Sequence, residues 1–406
     1  MSLDADLIII GGGCAGLSLA SLLAERGAQC PRTIIIESRT HYTNDRTWCF
    51  WGNDSMRDSM CGTARLRHLI QHQWHQIKVS ASGRSVNING DAAYQMLPAD
   101  IFYADALRTV AKNNRINLWL GNAISVEPTK ESKPNSAWQI ETSDGLIRGA
   151  SVIDTRPVRS PARGGALLWQ SFYGQEIECA DNIFESVFEP TQVDLMDFSE
   201  VRDGRIAFTY VLPLSRHRAL IEATVFAVDP LSQDQLGAQL KAAIAQRLHG
   251  AAFSVLRSEH GVLPMGAVTV PVSDDRTYIK VGLTSGGARP ATGYAFQRIQ
   301  RWAALCASAI MDGKPLVTHL PDPLLLRLMD RLFLQVIRAR PQLAPELFLS
   351  IFESVDANSV IRFLSDRGKL TDYVAIIRAL PPGPFLSQMV FLLLAALGVR
   401  QHQASP

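Results

Sequence analysis

Three groups of residues in this chain have the types and spacing to do chemistry. The first is Gly11-Gly12-Gly13-Cys14-Ala15-Gly16, with Glu37 placed 21 positions after Gly16. Gly11 allows a tight turn, Gly13 lets backbone approach a pyrophosphate, and Gly16 lets a helix pack closely on a strand. The acid then accepts ribose hydroxyls, which favours an unphosphorylated adenosine, FAD or NAD, over NADP. The competing reading is a glycine turn with a purely structural role. The second group is Glu222, set in the apolar run Leu220-Ile221-Glu222-Ala223-Thr224. In a strand, alternation sends Leu220, Glu222 and Thr224 to one face and Ile221, Ala223 and Val225 to the other. A carboxyl facing an apolar pocket has a raised pKa and can act as a general acid. A glutamate on a solvated strand face does no such thing, and the residues alone leave both readings open. The third group is His68, His72 and His75. No acid or cysteine accompanies them at ligand spacing, so no metal site is expected. The sequence contains no GxSxG, HExxH or P-loop motif.

The elements that must position these groups are legible around them. Leu7-Ile8-Ile9-Ile10 is a continuous apolar run of the kind that a parallel strand buried on both faces requires. A helix with an apolar stripe from Leu17 to Ala24 follows the glycines and ends near Gly27. Thr33-Ile34-Ile35-Ile36 is the next strand, closing on Glu37. The segment from His41 to Gly52 is first polar and then aromatic, with Trp48 and Trp51. It reads either as a surface loop that tucks two tryptophans inward or as part of a site beside the nucleotide. Ala150 to Asp154 repeats the buried-strand pattern. From Trp169 to about Ser258 the pattern is strands and turns, with 205–212 and 219–226 joined by a hairpin-like link, and a mainly antiparallel sheet covering a ligand is expected. Tyr278 to Gly282 returns to strand and glycine, and everything after about residue 300 reads as helices.

Length and composition narrow the setting. A chain of 406 residues fits two to three domains at about 150 residues each. Hydrophobic residues make up 47% and charged residues only 19%, with a mean hydropathy of +0.05. Soluble chains carry roughly 25% charged residues, so this surface is short of charge and a greasy ligand, membrane surface or buried interface is implied. Lys and Arg total 40 against 38 acids, with no concentrated basic face, so no nucleic-acid partner is expected. Six scattered cysteines read as reduced thiols, and the acids of Met-Ser-Leu-Asp-Ala-Asp stand where an export signal carries cations; a cytoplasmic setting is expected. Phe385 to Val399 is apolar but spans fifteen residues, too few for the roughly twenty of a membrane-crossing helix. It reads as a buried core helix or as one lying in a lipid interface.

Several segments occur in a telling order. The glycine turn is followed by Asp45-Arg46-Thr47-Trp48-Cys49-Phe50-Trp51, Val152-Ile153-Asp154, and Trp169-Gln170-Ser171-Phe172-Tyr173-Gly174-Gln175-Glu176. Then come Leu212-Pro213-Leu214-Ser215, the Glu222 run, Gly261-Val262-Leu263-Pro264, Pro290-Ala291-Thr292-Gly293-Tyr294, and Leu324 to Phe333. Over nearly the whole chain this order resembles the bacterial lycopene cyclase family. The resemblance implies an α/β flavoprotein of para-hydroxybenzoate-hydroxylase-like architecture: a Rossmann-like FAD-binding domain, an inserted, mainly antiparallel substrate-binding sheet, and C-terminal helices. The expected division is 1–165 with 275–300 for FAD, 166–274 for the substrate sheet, and 301–406 for helices that include the candidate membrane contact.

The same resemblance implies a carotenoid-biosynthesis enzyme that converts the linear ends of lycopene into β-rings, through γ-carotene to β-carotene, without net redox change. Reduced FAD is required, with NAD(P)H as the electron source. Gly11, Gly13, Gly16 and Glu37 would hold the adenosine half. Gly286, Gly287, Thr292 and Gly293 would lie by the pyrophosphate and isoalloxazine. Glu222 matches the catalytic glutamate, and Trp48, Trp51 and Thr224 are candidates for the substrate pocket. Many members carry a second acid where this chain has Ala223, which bears on whether lycopene itself is the substrate and how many ends are closed. The partner implied is a hydrophobic carotenoid, reached from peripheral attachment to the cytoplasmic face of the cell membrane. Two other readings share the fold: a flavin-dependent oxidoreductase or monooxygenase acting on another isoprenoid or quinone-like substrate, and a non-catalytic flavin-binding or carotenoid-carrier protein.

Overall fold

The computed structural model describes residues 3–52, 63–129, 137–157, 166–179, 187–198, 204–266 and 276–396. Cys61, the domain edges expected at 165 and 275, and the end of the apolar run at Val399 lie outside these residues. The run from Leu7 to Ile10 lies in β1 (Ala5–Ile10), between parallel neighbours β2 (Thr33–Glu37) and β9 (Gly145–Asp154). All four residues are buried, as a strand covered on both faces must be. β6 (Ile116–Leu120) extends the sheet beyond β2, and β15 (Tyr278–Lys280) pairs with β9. β8 (Trp138–Thr142) and β7 (Ala123–Pro128) continue it in antiparallel fashion. Helices α1 (Cys14–Ala24), α2 (Ala99–Ala111) and α4 (Phe296–Met311) close over one face, where Leu17, Phe102, Ile299 and Trp302 share a core.

The second sheet has eight strands in the order β14-β10-β13-β12-β11-β4-β5-β3. They are β3 (Thr47–Gly52), β4 (His72–Ala81), β5 (Arg84–Pro98), β10 (Leu168–Cys179), β11 (Gln192–Phe198), β12 (Ile206–Pro213), β13 (Arg218–Ala227) and β14 (Phe253–Met265). All pairs are antiparallel except β4 with β11. The division departs from the expected one in a definite way. Residues 47–98 fall inside the segment 1–165 but give three strands to the second sheet, because the Thr47–Gly52 backbone pairs with β5 rather than with the nucleotide-side strands. His72 and His75 lie on β4 and His68 in a short turn before it, and no metal-holding cluster exists among the described residues.

One face of this sheet is covered by α3 (Gln233–Leu248), which packs Leu240, Ile244 and Leu248 on Ile221 and Ala223. The strand-and-turn pattern expected from 169 to 258 did not include it, although Ser232 and Gln235 form a reciprocal capping box at its start. The opposite face carries α5 (Leu324–Ala339), α6 (Ala344–Ser354), α7 (Ala357–Leu364), α8 (Leu370–Ala379) and α9 (Pro382–Ala396). Leu334, Leu347, Val360 and Ile376 pack there with Trp74, Phe208 and Leu220. Between α8 and α9 the chain turns by 103° at Leu380 and Pro381, since a proline cannot continue α8, and Pro382 opens α9, where its missing N–H leaves no bond unmade. Among the described residues no single helix is long and apolar enough to cross a membrane. α9 is also no core helix: Leu386 and Val390 are more than half exposed.

Candidate active site

At the C-terminal end of β1 the chain forms a cradle. Gly11 has φ +101°, and a Cβ at Gly16 would lie 2.0 Å from the Gly11 carbonyl oxygen, so a side chain at Gly16 would push α1 off the turn. Gly13, the residue before α1, is open: the nearest atom to a Cβ there is an Arg39 nitrogen at 3.8 Å. No side chain caps α1 and no acid lies in its first turn, so its leading N–H groups face open space and suit a phosphate. Glu37 closes β2 alongside and accepts the Gly12 N–H at Oε2 (2.7 Å). Burial alone would raise the Glu37 carboxyl, but hydrogen bonds from Arg39 and Gly12 outweigh it and hold it below the usual carboxylate range. An ionised acid beside a bare helix start fits the ribose and pyrophosphate of a dinucleotide.

Gly286 and Gly287 follow β15 in a tight turn braced by His319. The Gly282 N–H donates to His319 Nε2 (3.1 Å), and burial pushes this imidazole down to about 3, so it stays neutral and able to accept. Both glycines face His319, whereas their neighbours Leu283 and Thr284 line the adjoining cavity. Thr292 and Gly293 also line it, with Gly293 at φ +72° against Gln170. Arg289 anchors this turn. Its buried guanidinium holds both oxygens of Asp330 on α5 (3.1 and 3.0 Å) and lies 4.2 Å from the Phe363 ring centre.

The cavity itself measures about 970 Å³. It begins at Gly13, Cys14 and Thr155, runs over the second sheet, and reaches the surface between Leu325 and Leu328 of α5, Ile377 of α8 and Leu386 and Met389 of α9. Its floor is set by strand alternation. On β13 the residues facing it are Glu222, Thr224 and Phe226; on β10, Gln170 and Phe172; on β14, Glu259, Gly261 and Leu263; on β12, Phe208 and Tyr210. Register places them in rows: Tyr210, Glu222, Gly174 and Glu259 in one, and Phe208, Thr224, Phe172 and Gly261 in the next. Ala223 points the other way, into the core under α3, as alternation requires.

Glu222 is therefore a carboxyl on an apolar floor, with 9% of its surface exposed. The Thr224 hydroxyl donates to its Oε1 (2.7 Å). Burial first, and the nearby Glu259 second, push Glu222 up to about 8 despite that hydrogen bond. Around neutral pH it carries its proton. Glu259 is more deeply buried and differently held: it accepts from Thr47 Oγ1 (2.7 Å) and pairs with Arg257, which also binds Glu176 (2.6 Å). Tyr94 and Tyr210 share a hydroxyl contact of 3.1 Å and, like Cys49, are pushed up by burial, so all three remain neutral.

Of the aromatic candidates, Trp48 lines the cavity and stacks on Phe296 (5.2 Å, 24°). Trp51 does not. It is 3% exposed and packs against Tyr94 in the core, its indole on the opposite side of β3 from that of Trp48. The sequence reading missed Glu259, Arg257, the tyrosine pair and His319. Alternation along 257–263 could have exposed Glu259 and Gly261, whereas the other contacts join residues far apart in sequence.

A bare glycine cradle and a buried carboxyl, joined by one apolar cavity between a nucleotide-type sheet and an antiparallel one, belong to a chain of the para-hydroxybenzoate-hydroxylase-like fold. Solved structures share it. A flavin-dependent brominase matches with a TM-score of 0.60 at 13% identity, covering 96% of this chain and 99% of its own. A geranylgeranyl bacteriochlorophyll reductase-like protein from Thermoplasma acidophilum matches at 0.58 and 14% identity, covering 95% and 98%. The family described as "Lycopene cyclase protein" matches residues 6–390, and the chain belongs to it. A lycopene beta-cyclase from Pseudescherichia vulneris is 28% identical over 316 residues, 76% of this chain and 74% of that protein.

Proposed function

We propose that this protein is an FAD-dependent carotenoid cyclase that closes the linear ends of lycopene into β-rings, with Glu222 as general acid. The observation that carries the reading is the buried Glu222 carboxyl on the floor of an apolar cavity, where burial pushes it up to about 8. Bound in reduced form, with NAD(P)H as the electron source, FAD would supply an electron-rich surface against developing positive charge. Gly11, Gly13, Gly16 and Glu37 would hold its adenosine half, with Leu283, Thr284, Thr292 and Gly293 along the cavity wall.

Glu222 gives its proton to the terminal alkene, and Thr224 fixes the carboxyl while it does so. The tertiary cation is attacked by the neighbouring double bond, which closes the six-membered ring. Loss of a ring proton balances the one donated, so mass and redox state are unchanged. Trp48, Phe172 and Tyr210 offer aromatic faces to the cation, and the apolar walls exclude water that would trap it as an alcohol. The mouth between α5, α8 and α9 admits the hydrocarbon. Its exposed leucines, with Arg327 and Arg331 exposed on α5, Lys369 before α8 and Arg378 on α8, support docking on the inner face of an anionic membrane.

Expression in cells that accumulate lycopene, followed by chromatography and mass spectrometry, tests the reading. The wild type should yield cyclic products of unchanged mass, and Glu222→Gln should leave lycopene untouched while still loading flavin. A product heavier by oxygen or hydrogen would instead make it an oxygenase or reductase. Full cyclase activity in Glu222→Gln would remove Glu222 as the acid.

A further inference from the structure

We propose that Glu259, facing Glu222 across Gly174, is the charge that keeps Glu222 protonated at the pH where the acid must act. Glu259 would thus be a positioning residue that works through Glu222, and the inference rests on Glu222 being the proton donor. The geometry begins with register. Gly174 on β10 is the partner both of Glu222 on β13 and of Glu259 on β14. Directly opposed residues share a face of the sheet, so both carboxyls rise from the cavity floor with only a glycine between them. Two strand spacings separate their backbones by about 10 Å. A Cβ at Gly174 would meet the Glu222 Cβ at 3.3 Å and stand in the gap. The strand thus leaves a clear line between the two acids.

The acids differ in their partners. Thr47 and Arg257 both hold Glu259, which fixes its charge in place. Among the described residues Glu222 has only the Thr224 hydroxyl. Of the other titratable groups that line the cavity among the described residues, Cys49 of β3, Tyr94 of β5, Tyr103 of α2, Tyr210 of β12 and Tyr294 are pushed up by burial and stay neutral, while Asp45 and Arg46 stand side by side before β3. Beside Glu259, Arg257 and Arg218 share Glu176 on β10, so two cations meet two acids and removing the charge at 259 leaves that cluster one positive charge in excess; Arg289 at the far wall is matched by Asp330. A negative charge about 10 Å away in a partly desolvated site raises a carboxyl by about one pH unit at an effective dielectric near 20. Position 223 holds alanine and faces under α3, so the carboxyl that shares a row with Glu222 comes from β14.

The test uses flavin-loaded full-length protein and its Glu259→Gln, Glu259→Asp and Glu222→Gln variants. Two quantities are read: the alkaline limb of kcat/KM against pH, and the infrared titration of the protonated-carboxyl band that Glu222→Gln abolishes. Removing the charge at 259 lowers the proton affinity of Glu222, so in Glu259→Gln both midpoints should fall by about one unit, with activity above pH 8 down about tenfold. Glu259→Asp should recover most of that shift. Midpoints in Glu259→Gln that equal or exceed the wild type overturn the proposal. Should Glu259→Gln fail to load flavin, Glu259→Asp decides: its charge is drawn back, so its midpoint must be slightly lower, and one at or above the wild type overturns the proposal. Full activity in Glu222→Gln sinks the proton-donor reading instead, while the infrared midpoints still report the coupling of the two acids.

Discussion

Leu324, at the start of α5 next to the mouth residue Leu325, and Leu328 and Leu386 of the mouth itself expose 78%, 54% and 56% of their surface. Together they present about two leucine side chains of apolar surface to water. Removing one leucine side chain fully from water is worth ~1.5–3 kcal/mol, so docking these three into a lipid interface contributes roughly 3–5 kcal/mol. The exposed Arg327, Arg331, Lys369 and Arg378 add about 1 kcal/mol each beside anionic headgroups, a part that salt screens away. Replacing the three leucines by serine should therefore weaken partition onto anionic vesicles at least roughly a hundredfold. High salt should weaken the wild type further but leave a residual apolar affinity. Flotation against increasing lipid measures this, with Leu120, Ile124 and Leu146 exchanged for serine as the control. Those residues are also more than half exposed, but they lie on the first sheet away from the mouth. Wild-type protein that stays in the supernatant at every lipid concentration would refute the reasoning, and so would equal binding by the mouth variant.

Two further outcomes follow from the buried charges. Because the folded-state value for Glu222 lies near 8, the unfolded chain gives up this proton near 4.5 while the native state keeps it. Stability should thus fall by about 1.4 kcal/mol per pH unit across that window, and Glu222→Gln should unfold at higher urea than the wild type at pH 8 but not at pH 4. Asp330→Asn should cost about 3 kcal/mol in urea unfolding, because it strands the buried Arg289 guanidinium, and the double change Arg289→Met with Asp330→Leu should cost clearly less.

The parts of the fold that were legible in the sequence are those whose physics is local. The β1 run, the glycine spacing and Glu37 each need only neighbours within one strand-turn-helix unit, and all of them take up the expected places. The assignment of residues 47–98 was not legible, because which sheet a strand joins depends on pairing partners, and Trp48 and Trp51 alternate between two cores that the sequence does not name. The same limit hid Arg257, which reaches Thr47 from 210 positions away, and His319, which reaches Gly282. Exposure of the C-terminal helices was open for a related reason. An apolar helix reads alike whether a core or a lipid surface receives it.

Strand parity explains why the absence of an acid at 223 says little about this cavity. On β13 a carboxyl at 222 faces the hydrocarbon-lined floor, while one at 223 would lie against Leu240 and Ile244 under α3, with no route to a ligand. A one-residue slip in the pairing of β13 with β10 would exchange those fates and bury Glu222 where it could reach no alkene. The Phe172 ring, paired opposite both Thr224 and Gly261, lies over Gly261, where even a Cβ would come within 2.5 Å of it, and so holds β14 and its Glu259 in register with β10. Glycines 174 and 261 thus do paired work on neighbouring rows. One clears the line between two carboxyls, and the other seats the aromatic ring that keeps the row with the acid in register.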